Sequence, residues 1–297
     1  MNAPPHRAGY VAIVGRPNVG KSTLLNRLVG EKISITSRKP QTTRQRVTGI
    51  LTRAHTQIVF VDTPGYQTRH RNALNRLMNR AVTQALEDVD LILWVVEGTK
   101  YLDEDETVRR RLPVDVPVIV AINKTDRIAD KRTLLPYIRQ MSERIAACEI
   151  VPVSATRGAQ LEELVTAIAA QLPAGPPLFG PDEITTASER FLASEIVREK
   201  LFRLLGEELP YAAAVQVDEF TETAKLRRIG MRIVVDKANQ KAIVIGKNGE
   251  KLKAIATQAR QDMERLFGGK VFLEIWVNVK SGWADDEAQL KRLGVGE

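Results

Sequence analysis

Gly15-Arg16-Pro17-Asn18-Val19-Gly20-Lys21-Ser22 constrains this chain more than any other stretch. An apolar run at 10–14 precedes it and reads as a buried strand. Residues 22–29 follow, with leucines at helical spacing. Strand, glycine-bounded loop ending in Lys-Ser, then helix is the setting of a phosphate-binding loop. Gly15 and Gly20 permit sharp turns, so that successive N–H groups can converge on one anion. The helix start adds the positive end of its dipole. Lys21 can reach the outer phosphates as a compact cation, and the Ser22 hydroxyl can ligate Mg²⁺. The phosphate-contacting set is therefore Gly15, Arg16, Pro17, Asn18, Val19, Gly20, Lys21, Ser22 and Thr23, joined further along the chain by Gly65.

A chain of 297 residues is long enough for about two domains, each with its own core. No apolar run approaches the roughly 18 residues of a membrane span, and residues 1–9 lack the apolar segment of a secretory signal. A single cysteine, Cys148, excludes an intrachain disulfide and fits a reducing cytoplasm. The three histidines, His6, His55 and His70, show no zinc-site spacing. The net charge of +8 suggests a polyanionic partner, but its distribution is more informative than its sum. Residues 1–180 carry 25 basic against 17 acidic side chains, whereas 181–297 carry 19 of each. Within that neutral half, residues 225–253 hold nine basic residues against Asp236 and Glu250. Such local polarity is the signature of a binding face.

Taken in order, residues 33–44 read as a hydroxyl-rich loop, and 46–52 with 57–61 as a hairpin around Arg53-Ala54-His55. Helical periodicity at about 72–86, 103–112, 131–147 and 161–172 alternates with apolar runs at 91–96, 116–122 and 149–153. This alternation predicts an α/β domain with a mainly parallel, doubly wound sheet over residues 1–172. The Pro- and Gly-rich segment 173–186 reads as a linker. Beyond it, a helix at 187–205, strands at 212–220 and 225–236, a Gly-x-x-Gly turn between helices, a helix at 250–267 and a strand at 270–279 give the order α-β-β-α-α-β. That order assigns 187–297 to an α+β domain with a C-terminal tail.

In doubly wound sheets the ligand lies beyond the carboxyl ends of the strands. Every chemical motif of the first domain falls there. Asp62-Thr63-Pro64-Gly65 offers a carboxylate to hold Mg²⁺ and a Gly65 N–H to sense a γ-phosphate. Asn123-Lys124-Thr125-Asp126 suits guanine, because the Asp126 carboxylate can accept both N1–H and the 2-amino group, which adenine lacks. The Lys124 stem can cover the purine face, Asn123 can brace the loop, and Ser154-Ala155 can present a backbone N–H to guanine O6. Gly246-Lys247-Asn248-Gly249 can be a plain helix corner. In this element order and basic window, it reads as the loop with which KH domains clamp single-stranded RNA, with Lys247 meeting phosphate and Lys241 and Lys251 flanking it.

The motif at 15–22, Gln41-Thr42-Thr43-Arg44 and the two later nucleotide motifs, all in order, resemble the TrmE-Era-EngA class of translation-factor-like GTPases. A type II KH domain behind such a domain, and the ending Lys280-Ser281-Gly282-Trp283-Ala284-Asp285-Asp286-Glu287, are similar to the Era family of bacterial GTPases. The resemblance implies that Gln41, Thr42 and Thr43 form switch I. Thr42 or Thr43 would ligate Mg²⁺ in the GTP state, with Thr43 preferred, alongside Ser22 and Asp62. It further implies that Asn18 helps bind K⁺ near the phosphates in place of an arginine finger. A role as a cytoplasmic monomer is implied, binding the 3′ end of 16S ribosomal RNA in maturation of the small (30S) subunit. Loose peripheral association with the cytoplasmic face of the membrane is implied too.

One departure bears on rate. Tyr66 occupies the position after Gly65 where Ras-like enzymes carry a water-orienting Gln, and Gln67 is displaced by one. Slow intrinsic hydrolysis is therefore expected. The reading is an RNA-binding GTPase switch. Its competitor is a membrane-linked regulatory GTPase whose main partner is a protein, with the KH-like domain as a docking module. An ATP-dependent kinase is disfavoured by the guanine motif.

Overall fold

The runs at 11–14 and 91–96 have no polar face, and the computed structural model buries both as neighbouring parallel strands. It describes residues 5–37, 39, 42–65, 73–147, 149–206, 209–283 and 290. Gln41, Tyr66, Gln67, His70, Asn72, Cys148 and residues 284–289, on which expectations above fall, lie outside the described residues.

By its internal contacts the chain divides into two compact units. The first holds a six-stranded sheet in the order β2-β3-β1-β4-β5-β6. These strands are β1 (Arg7–Val14), β2 (Val47–Arg53), β3 (Thr56–Asp62), β4 (Leu91–Glu97), β5 (Val118–Asn123) and β6 (Glu149–Pro152). β2 and β3 form the antiparallel hairpin, and the remaining neighbours are parallel. The connecting helices are α1 (Lys21–Val29), α2 (Ala73–Glu87), α3 (Asp103–Arg109), α4 (Leu134–Arg144) and α5 (Leu161–Gln171). The neighbours β1 and β4 send their following connections to opposite sides of the sheet, β1 toward β2 and β4 toward β5, which opens a crevice at their carboxyl ends.

Two helices are shorter than their periodicity predicts, each for a local reason. α3 stops at Arg109, and the N–H groups of Arg111 and Leu112 close tighter three-residue turns before Pro113, which cannot extend a helix. The helix expected from 131 opens as a 3₁₀ turn, Lys131–Thr133, capped by the Asp130 side chain accepting from the Arg132 N–H. The α-helical part, Leu134–Arg144, carries Pro136 in its first turn, where a missing N–H costs little. It ends as Ile145 turns extended.

Residues 173–186 run along the first unit through backbone hydrogen bonds. The Ala8 N–H donates to Pro173 O, and the Ile50 N–H on β2 donates to Ile184 O at 2.9 Å. Gln57 fixes the middle of the segment, its side-chain carbonyl accepting from the N–H groups of Leu178 and Phe179.

The second unit comprises residues from 187 onward together with Ile35–Thr42 and Arg71–Leu77. Its elements are α6 (Glu189–Leu204), β7 (Ala213–Glu222), β8 (Arg227–Val235), α7 (Ala238–Ile245), α8 (Glu250–Phe267) and β9 (Val271–Val279), the α-β-β-α-α-β order. β8 pairs antiparallel to β7 and parallel to β9. Alternate residues Ile229, Met231, Ile233 and Val235 of β8 face the core with Val197 and Leu201 of α6 and Ile255, Ala259 and Met263 of α8. α6 also buries Glu195, Arg198, Glu199 and Lys200, so it carries no single apolar stripe. Among the described residues, no helix is long and apolar enough to cross a membrane.

Candidate functional site

The β1–α1 loop takes the conformations that its glycines predict. Gly15 has φ 152° and Gly20 φ 102°, and Asn18 joins them in the left-handed region at φ 64°. Space dictates glycine as firmly as torsion does. A Cβ at Gly15 would stand 2.4 Å from the Val95 carbonyl oxygen, and one at Gly20 would stand 2.4 Å from Asn123 Nδ2. Gly65 approaches the same loop, where a Cβ would lie 3.0 Å from Pro17. Lys21 is buried, its Nζ donating to the carbonyls of Gly15 at 2.9 Å and Arg16 at 3.2 Å. Burial lowers its pKa to about 8, Arg16 adds to the effect, and Asp62 and Asp105 oppose it. A buried cation of this kind gains strongly from a bound polyanion. Thr23 lies in the first turn of α1, beside Ser22.

Three hydroxyls converge on one carboxylate. Ser22 Oγ donates to Asp62 Oδ2 at 2.7 Å, Ser34 Oγ donates to it at 3.0 Å, and Thr43 Oγ1 does so at 3.4 Å. Ser22 Oγ and Thr43 Oγ1 are themselves 2.9 Å apart. Burial pushes the Asp62 carboxyl upward, against Lys21 and the three hydroxyls. Asp62 Oδ1 is buried without a hydrogen-bond partner. An orphaned carboxylate oxygen beside two hydroxyls is a donor set that suits Mg²⁺, a hard cation that keeps waters and phosphate oxygens among its ligands. Between the two threonines, Thr43 is the one brought to this cluster. Thr42 Oγ1 donates instead to Lys39 O at 3.0 Å, and its carbonyl accepts from Arg198.

The guanine motif closes the opposite side of the crevice. Asn123 Nδ2 donates to Val19 O at 2.9 Å, while its Oδ1 accepts from the N–H groups of Lys124 and Ala155. Of the Ser154-Ala155 N–H groups expected to offer a bond to guanine O6, that of Ala155 is thus bonded to Asn123 and that of Ser154 to Ala159 O. Lys124, left-handed at φ 64°, sends Nζ to the Asn18 carbonyl at 2.6 Å. Asp126 sits in the 3₁₀ turn Thr125–Arg127, where Oδ1 accepts from the Ser154 hydroxyl at 2.6 Å. That hydrogen bond, with Arg157 and Arg127, holds its carboxyl below the usual range. Sequence reasoning missed Glu97 and Asp105, which pair with Arg16 in this crevice. Glu97 ends β4, so the strand-end rule points to it, whereas nothing in the sequence marks Asp105.

In the second unit, α7 and α8 meet at Gly246–Gly249. Gly246 has φ 74°, Asn248 φ 52° and Gly249 φ 79°. Gly249 caps the N-terminus of α8, and Lys247 and Asn248 stand exposed. Lys241 lies on α7 and Lys251 in the first turn of α8, so a phosphate at the turn would meet helix-start N–H groups and three ammonium groups.

A family model described as 50S ribosome-binding GTPase matches residues 10–124, and a KH-domain model matches residues 208–284. GTPase Era of Nitrosomonas eutropha is 56% identical over 294 residues, 99% of this chain and 99% of that protein. GTPase Era of Chromobacterium violaceum is 52% identical, covering 99% of this chain and 100% of that protein. Two solved structures align with a TM-score of 0.94 at 42% identity, covering 97% of this chain and 99% of theirs. One is an Aquifex aeolicus Era variant bound to GDP·AlF4⁻, and the other is Era with MgGDPNP and nucleotides 1506–1542 of 16S ribosomal RNA. Likeness of this extent runs through both units and both motif sets, and the chain belongs to the Era family of GTPases.

Proposed function

We propose that this GTPase is a nucleotide-controlled RNA binder that takes the 3′ end of 16S ribosomal RNA and acts in the cytoplasm in maturation of the small (30S) subunit. The observation that carries the reading is the Gly246–Gly249 turn between two helices, with Lys247 and Asn248 exposed and Lys241 and Lys251 flanking it. The relative solved with nucleotides 1506–1542 of 16S ribosomal RNA supports the choice of target. Residues 1–172 serve as the nucleotide domain, 173–186 as the connection and 187–297 as the RNA domain with its tail.

Gly15 to Thr23 and Gly65 hold the phosphates, with Lys21 against the outer ones. Ser22, Thr43 and Asp62, the last through water, hold Mg²⁺, whose charge offsets that of the β and γ phosphates. Asp126 accepts from guanine N1–H and the 2-amino group, and Lys124 covers the ring. The Ala155 N–H reaches O6 by sharing its bond to Asn123. Asn18 contributes to a K⁺ site in place of an arginine finger, and Tyr66 after Gly65 keeps the unaided rate slow. Turnover measured in K⁺ against Na⁺ tests both points: a rate of many per second without K⁺ or partner overturns them.

Coupling to RNA follows from how switch I is divided. Thr43 sits against Ser22 and Asp62, whereas Ile35–Thr42 group with the second unit, where Thr36 bonds to Glu199 of α6. There Arg198 holds the Thr42 carbonyl, and Lys39 Nζ donates to Leu205 O at 2.7 Å. Drawing Thr43 onto a GTP-bound metal therefore pulls on a segment anchored to the RNA-binding unit. The test is binding of a short single-stranded RNA matching the 16S 3′ end at fixed salt, with GDP and with a non-hydrolysable GTP analogue. Tighter binding with the analogue is expected, lost when Lys247 and Asn248 become acidic. Equal affinity in both states refutes the coupling, and no selective binding in either favours a protein partner.

A further inference from the structure

Four charged side chains from four separate segments meet at the edge of the nucleotide crevice. Arg16 lies in the phosphate loop, Glu97 ends β4, Asp105 belongs to α3 and Lys124 opens the base loop. Arg16 Nε donates to Asp105 Oδ2 at 3.0 Å, and its Nη2 donates to Glu97 Oε2 at 3.0 Å. The same Oε2 lies 3.0 Å from Lys124 Nζ. One carboxylate oxygen is thus shared by a cation of the phosphate loop and a cation of the base loop.

The two ends of this cluster are not equivalent. Arg16 has a second carboxylate, Asp105, which is fully buried and also accepts the Leu102 N–H at 3.0 Å. Lys124 has Glu97 and, beyond it, the neutral Asn18 carbonyl. The Lys124 side chain is 17% exposed and Glu97 19%, so solvent screens their attraction only partly. Burial alone would raise the Glu97 carboxyl, but Lys124 and Arg16 together hold it below its usual range. Without Glu97, Arg16 and Lys124 would face each other with no anion between them, and the Lys124 stem would lose the tie that fixes it.

We infer that Glu97 is a positioning residue that links the phosphate loop to the base loop through Arg16 and Lys124, and so sets how long a nucleotide stays bound. This rests on the guanine-site assignment proposed above. GDP binding by the unaltered chain tests that assignment by itself.

The experiment measures dissociation of a fluorescent GDP from the full chain in Mg²⁺, for Glu97→Ala, Glu97→Gln, Lys124→Met and the Glu97→Ala/Lys124→Met pair. Glu97→Ala should release GDP about ten-fold faster, the range expected for one member of a coupled charged network. Glu97→Gln keeps the shape without the charge and should fall between. In the Lys124→Met background, Glu97→Ala should add less than about two-fold, because its partner over the base is gone. Thermal midpoints should stay within about 3 °C of one another. The same ten-fold effect with and without Lys124, or a midpoint falling in step with release, would mark Glu97 as merely structural and overturn the inference. So would unchanged release in Glu97→Ala. Should Glu97→Ala fail to fold, Glu97→Gln alone and paired with Lys124→Met decides by the same criterion.

Discussion

The buried carboxylate of Glu199 accepts both the backbone N–H of Thr36, at 3.1 Å, and its hydroxyl, at 3.3 Å. Together with Arg203, which donates to the Thr36 hydroxyl at 3.3 Å, this α6 side chain holds Thr36 at the start of the loop that leads to Thr43. Glu199→Gln preserves volume but weakens both bonds, since an amide oxygen accepts less strongly than a carboxylate. If that loop carries the nucleotide signal, the ratio of RNA affinities with GTP analogue and GDP should move toward one in Glu199→Gln. RNA affinity with GDP alone should change little. Titration of the RNA in both nucleotide states checks this, and a ratio equal to that of the unaltered chain rejects the role.

Lys200 is buried between Glu199 Oε2, at 3.3 Å, and Asp262 of α8, and removing it takes away the cation they share while Glu199 keeps Arg203 and Asp262 keeps Arg265. Lys200→Met should destabilise the chain by about 2–3 kcal/mol, below the full cost of breaking a buried ion pair on one side because each carboxylate keeps an arginine. Adding Asp262→Leu should recover part of that loss, because the carboxylate oxygen that faced Lys200 is then gone as well. Denaturant unfolding of the single and double variants measures both steps.

Glycine matters at Gly15 for a reason absent at Gly30. Both have positive φ, 152° and 89°, but a Cβ at Gly30 would meet nothing within 4 Å, whereas at Gly15 it would stand 2.4 Å from a backbone carbonyl. Gly30→Ala should cost about 1 kcal/mol, the penalty of a left-handed alanine at a helix end. Gly15→Ala should cost at least about 2 kcal/mol more, since backbone must move, and should abolish tight GDP binding. Unfolding midpoints and GDP titration together separate the two effects.

Much of this architecture was legible because its signals are local. The buried runs at 91–96 and 118–122, the glycines of the phosphate loop and the turn at Gly246–Gly249 all follow from sterics or periodicity within a few residues. What escaped depends on contacts distant in the chain. Asp105 gives no local hint that it is wholly buried against Arg16, because the pairing spans 89 residues. The helix at 187–205 was legible, but not that it buries Glu195, Arg198, Glu199 and Lys200, because beyond the Glu195–Arg198 pair their partners lie in a loop some 160 residues earlier and in α8. Helix α7 had no boundary of its own in the pattern, because 238–245 is only two turns long and its exposed Ile243 blurs the periodicity.

Asp126 is where base identity should be decided. A carboxylate can accept from both N1–H and the 2-amino group of guanine, and the Ser154 hydroxyl holds one of its oxygens at 2.6 Å, which fixes the plane of the group. Replacing it with Asn substitutes an N–H donor for one acceptor. That donor opposes the guanine 2-amino group but matches the carbonyl that xanthine carries in its place. Asp126→Asn should therefore weaken GDP by about 100-fold or more, in the range of unmatched buried hydrogen-bonding groups, while XDP binding improves. Because Ser154, Arg157 and Arg127 depress the folded-state pKa of Asp126, its carboxylate stays ionised as pH falls to its ordinary value. Guanine preference in the unaltered chain should then be constant from about pH 5 to 8. Competition between GDP and XDP across that range, with and without the substitution, measures both effects. A variant that still prefers GDP would mean that another group reads the base.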